Sequence, residues 1–142
     1  MNGKTDIPSN FDWVKARADC SPAQVFKELE FGAKRDVDAA NGQRKPGDLH
    51  AFKMASDEGC FSVIRESSIA LPVSVEFYLE RDGIKVTSGA EVNFVATLTL
   101  NNEGRCMLRV NGEELENWHV RRMALEDLFF GKGGHPMPRA GQ

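Results

Sequence analysis

From Leu49 to Leu115 the side chains of this chain change character every second residue. Segments such as VEFYLE, IKVT and ATLTL alternate apolar with polar residues, and short glycine-bearing turns separate them. A period of two places all the apolar positions of a strand on one face. A turn of defined length then fixes which face the next strand presents. In ATLTLN-NEG-RCMLRV, a three-residue loop with Gly104 at positive φ pairs Leu100 with Cys106 and Leu98 with Leu108. A four-residue loop would set Leu98 against Met107 and mix the faces. An Asn111-Gly112 turn pairs Leu108 with Leu115 inside and Arg109 with Glu114 outside. An Asp82-Gly83 turn pairs Leu79 with Val86 and Glu80 with Lys85. The turn in MASDEGCFSV accepts a loop of two or of four residues, and its register stays open. These turns define one greasy face, with Phe52, Phe61, Val63, Phe77, Val86 and Leu98, and one wet face, with Ser62, Glu76, Lys85, Thr97 and Arg109.

A sheet with one apolar face needs a cover. The residues before Leu49 supply it. Ser9 or Asn10 can cap a short helix over FDWVKARAD. Ser21, with Pro22 at the first helical position and Gln24 three residues on, is a strong start signal for a second helix that runs to about Asn41-Gly42. Val25, Phe26, Leu29, Ala33, Val37 and Ala40 form its apolar stripe. At the other end VRRMALEDLFF is again helical, with Val120, Ala124 and Leu128 in line and Gly131 as its stop. The expected fold is α+β: an N-terminal amphipathic helix or short helix pair, a curved antiparallel meander of six to seven strands with one face covered by helices, and a C-terminal helix. Frataxin-like, lipocalin-like and cystatin-like folds share parts of this layout, a likeness of architecture that carries no function. Residues 10–131 read as a single domain, between expected disordered tails at 1–9 and 132–142.

Charge and composition narrow the function classes. The net charge of −3 is unevenly spread: about +1 over residues 1–47, −6 over 48–120 and +2 over 121–142. A sheet that acidic repels a phosphate backbone, so nucleic acid is not an expected partner. No apolar run is long enough to span a membrane, and MNGKTDIPSN has no apolar core of a secretory signal. Three widely spaced cysteines, Cys20, Cys60 and Cys106, read as reduced thiols and place the chain in the cytoplasm. Cys106 is expected to point inward opposite Leu100 as core packing.

No catalytic motif is present. His50, His119, His135 and the cysteines lack ligand-like spacings, so neither a metal nor a cofactor is expected. The cluster Glu116-Asn117-Trp118-His119-Val120-Arg121-Arg122 concentrates aromatic and cationic groups. Extending the Asn111-Gly112 hairpin sets Trp118 opposite Arg105, where a guanidinium can stack on the indole. Asn117 then caps the last helix and Arg122 pairs with Glu126, which leaves His119 and Arg121 unassigned. Trp118, His119, Arg121 and Arg105 are therefore the candidate binding residues. Phe129 and Phe130 either close one end of the core or form an exposed handle for a partner. The residues name no activity. They fit best a non-enzymatic binding or interaction domain, homodimeric through edge strands or through Phe129 and Phe130. The alternatives are a carrier of an apolar small molecule between sheet and helices, and an enzyme with a site assembled from dispersed histidines and cysteines.

Overall fold

A computed structural model describes residues 9–131. The expected tails lie outside these residues, apart from Ser9, and so does His135. The elements run α1 (Trp13–Asp19), α2 (Pro22–Gly42), β1 (His50–Asp57), β2 (Cys60–Ser67), β3 (Val73–Leu79), β4 (Gly83–Ser88), β5 (Glu91–Leu100), β6 (Cys106–Val110), β7 (Glu113–Leu115) and α3 (Asn117–Phe130). The seven strands form one antiparallel sheet in chain order. The α+β reading holds.

Each helix start has a local cause. Ser21 accepts from the Gln24 backbone N–H at 3.2 Å, and Pro22 opens α2. The Gln24 side chain turns to Glu28 instead of reaching back, so only half of a capping box forms. Asp12, rather than Ser9 or Asn10, caps α1 by accepting from the Lys15 N–H at 3.0 Å. α1 buries none of its residues.

α2 lays Val25, Phe26, Leu29, Ala33 and Val37 on the inner face of the sheet, as its stripe requires. Phe61 and Phe77 face each other across β2 and β3, stacked at 4.4 Å between ring centres, and Phe26 tilts onto Phe61 at 5.3 Å. Ile84, Val86 and Ala96 continue this layer, and α3 closes it with Val120, Ala124, Leu125 and Leu128. The layer between sheet and helices is filled by these side chains.

All four turns keep the faces that the parity rule demands, and three of them take a register that the sequence allowed. Leu100 pairs with Cys106 and Leu98 with Leu108, with Gly104 at φ 78°. Leu108 pairs with Leu115 around Asn111 at φ 52° and Gly112 at φ 83°. The first hairpin takes the two-residue choice, with Asp57 opposite Cys60 and Gly59 at φ 71°.

The fourth turn differs. Leu79 pairs with Ile84 and Phe77 with Val86, and the Glu80 N–H donates to Gly83 O at 2.8 Å, so Arg81-Asp82 make the turn. Gly83 serves a different contact: a Cβ there would lie 2.0 Å from the Ala96 carbonyl oxygen. The glycine lets β4 and β5 approach, and the register moves by two residues. A shift of two preserves which face each side chain occupies.

Candidate functional site

β7 is three residues long, and α3 begins two residues after it ends. That early hand-over decides where the expected cluster goes. Glu116 precedes the helix without a side-chain cap, and its carboxylate takes Arg105 at 2.9 Å. Asn117 is the first helical residue, not the cap. Trp118 therefore leaves the sheet with the helix. The expected stack of Arg105 on Trp118 does not form, and Arg105 is joined to Glu116 instead.

The helical spacing of Trp118, Arg121, Arg122, Leu125 and Phe129 turns them toward α2, where Asp36, Ala39, Ala40 and Gln43 face them. Between the two helices lies a mainly apolar groove of about 400 Å³. Trp118 is 47% exposed at one end and Phe130 is 73% exposed at the other. The two phenylalanines divide the expected roles. Phe129 is half-buried and meets the Phe52 ring edge-on at 5.0 Å, whereas Phe130 projects. A second groove, about 520 Å³, shares Ala40, Phe129 and Phe130 and continues to His50 and Phe52.

Arg121, left without a partner by the sequence, fastens the groove's floor. Its Nε donates to Asn117 Oδ1 at 2.9 Å, and its Nη1 donates to Gly32 O at 2.9 Å and to Asp36 Oδ2 at 2.7 Å. Gly32 makes room for this, since a Cβ there would come within 2.7 Å of the guanidinium. Arg122 pairs with Glu126 at 3.0 Å, as its spacing of four requires. His119 stacks on Trp118 at 3.7 Å between ring centres, and its buried Nδ1 has no hydrogen-bond partner among the described residues. Trp118 and Arg121 thus line one groove, and His119 backs the indole.

The same end of the molecule carries further apolar surface. The Ser68 N–H donates to Leu49 O at 3.1 Å, which brings the β2–β3 loop beside the start of β1. Leu49, Ile69 and Leu71 are all exposed there, Leu71 at 85%. Beneath lies a group that sequence reading missed. Arg65 is 3% exposed on the inner face of β2 and donates through Nη1 to Leu128 O at 3.2 Å. A cation suits the C-terminal turn of α3, where Asp127 O takes the Gly131 N–H and Leu128 O takes Arg65. Its Nη2 has no hydrogen-bond partner among the described residues. Only the alternation could have flagged it, because position 65 shares the parity of Phe61 and Val63.

The thiol reading is corrected. Cys20 and Cys106 form a disulfide across 86 residues of sequence, joining the end of α1 to the start of β6. Cys106 sits exposed at the strand's end, not packed in the core. The alternation predicted its face correctly, but the core stops short of it and Cys20 lies within bonding reach. Cys60 stays free, and its thiol pKa is raised by partial burial first, then by the Glu76 and Asp57 carboxylates. Neither His50 nor His119 hydrogen-bonds to a carboxylate or thiol among the described residues, and no group of His, Cys, Asp and Glu there has metal-site geometry. No described helix is long and apolar enough to cross a membrane. No family model, curated protein or solved structure matches this chain.

Proposed function

We propose that the protein is a non-enzymatic binding domain, and that it takes the apolar side chains of a partner protein into the groove between α2 and α3. The observation that carries this is the pair of exposed aromatics, Trp118 and Phe130, at the two ends of an apolar cleft. Aromatic anchors next to a concave apolar surface are what interface hot spots use. The exposed ion pair Arg122–Glu126 gives the groove a polar border, and the half-buried Asp36–Arg121 pair a polar point in its floor, which suits an amphipathic segment.

The probe is an apolar fluorescent dye, anilinonaphthalene sulfonate, titrated onto the native protein. One saturable site is expected. Ala39→Phe, which fills the groove, weakens it about tenfold, or ~1.4 kcal/mol, with an unchanged melting temperature. Dye binding indifferent to that substitution, or none at all, overturns the proposal.

A small apolar molecule as the occupant is a second reading, favoured by the groove's volume of about 400 Å³, which lies within the range of small-molecule sites. An added mass on the natively sprayed protein would support it. Localisation follows the cysteines. Reduced thiols would suit the cytoplasm, whereas the Cys20–Cys106 bond suits an oxidising compartment better.

A further inference from the structure

Among the described residues, the outer edge of β1 is only partly closed. Asn41, at the end of α2, donates through Nδ2 to Phe52 O at 2.8 Å and accepts from the Phe52 N–H at 3.0 Å. Its carboxamide stands in for a neighbouring strand at that one residue. Because both polar groups of Phe52 face away from β2, so do those of His50, Met54 and Ser56. Beside Met54 and Ser56 the groove between β1 and α2 has a volume of about 560 Å³, and Phe31 borders it at 68% exposure. Unpaired strand edges of this kind recruit another strand.

We propose that the protein forms a twofold dimer by antiparallel pairing of β1 with β1 of a second copy, Met54 of each chain opposite Ser56 of the other. Three registers bring outward-facing residues of this strand into register near its centre. Pairing Met54 with Met54 sets Ser56 against Phe52, whose polar groups Asn41 already holds. Pairing Ser56 with Ser56 sets Met54 against Glu58, beyond the strand's end. The third, Met54 with Ser56, forms four main-chain hydrogen bonds and is self-complementary on both faces. On the wet face Lys53, which pairs with Glu66 at 2.9 Å in its own chain, stands opposite Asp57 twice, and Ala55 meets Ala55 on the axis, where the chains come closest and a small side chain fits. On the inner face the second copy's Met54 enters the groove beside Phe31. This interface is separate from the α2–α3 groove and does not depend on the reading given to it.

Sedimentation equilibrium at micromolar concentration tests the dimer. The expected mass is about twice the 15.7 kDa of one chain. Ser56→Pro removes an outward N–H and leaves the ladder to β2 intact, so it should give a folded monomer. Lys53→Asp and Asp57→Lys each place like charges across the axis and should weaken association at least about tenfold. Mixed together, those two variants regain opposite charges at both positions and should form a heterodimer, a result unique to this register. The mixing readout also stands if Ser56→Pro fails to fold. A wild-type monomer at 100 µM overturns the proposal. So does a dimer whose mass these substitutions leave unchanged, or a mixture that stays monomeric.

Discussion

Replacing both Cys20 and Cys106 by serine removes a crosslink that spans 86 residues of sequence. In the chain-entropy account, closing a loop of that length in the unfolded chain stabilises the fold by ~4.6 kcal/mol. Apart from Cys20 itself, which is 3% exposed, the native side of the balance changes little. α1 contributes no buried residue, and the sheet, α2 and α3 keep their core without it. With an unfolding entropy of roughly 2.1 cal/mol/K per residue, a chain of 142 residues loses about 0.3 kcal/mol of stability per kelvin at its midpoint. The double variant should then melt about 15 °C below the wild type, and reductant should lower the wild type to the same temperature. Calorimetry with and without reductant reads the shift. Thiol titration in denaturant without reductant reads the bond itself, and Cys60 alone should react. Three reactive thiols, or a melting temperature indifferent to reductant, would refute the reasoning.

Gly83→Ala drives a Cβ into the Ala96 carbonyl, which backbone cannot yield cheaply, and should cost at least about 2 kcal/mol in chemical denaturation. Arg121→Ala removes the tie to Asp36 and Gly32, a half-buried pair, and should cost about 1–2 kcal/mol after allowance for solvent. Gly32→Ala should destabilise the wild type by evicting the Arg121 guanidinium. In the Arg121→Ala background it should instead stabilise by about 0.5–1 kcal/mol through helix propensity, and a double-mutant cycle measures that change of sign. Because the Cys60 thiol is held above its ordinary pKa, alkylation of the folded protein near pH 8 should be slower than that of the unfolded chain and keep rising at higher pH. Glu76→Gln should move that profile toward lower pH, since the Glu76 carboxylate disfavours the thiolate.

The legible parts of this chain were those governed by short-range rules. Asn111-Gly112 adopts positive φ at both residues and sets the β6–β7 register alone. Ser21-Pro22 begins α2 regardless of what the helix packs against. The Asp82-Gly83 turn failed for an instructive reason: a glycine that suits a turn also suits a close approach, and only the position of β5 separates the two uses. Trp118 and Arg105 failed similarly, because the hairpin's alternation was carried past the point where the chain became helical.

Local covalent chemistry and side-chain period by themselves determined the element types, the antiparallel order, the greasy face and the covering helices. Tertiary packing alone decided which distant groups meet. Arg121 found Asp36 85 residues away, Arg65 found Leu128 63 residues away, and Cys20 found Cys106. A period of two or of 3.6 fixes the direction of a side chain relative to its own element. It carries no information on the neighbour in that direction, which depends on how the sheet curves and where each helix comes to rest.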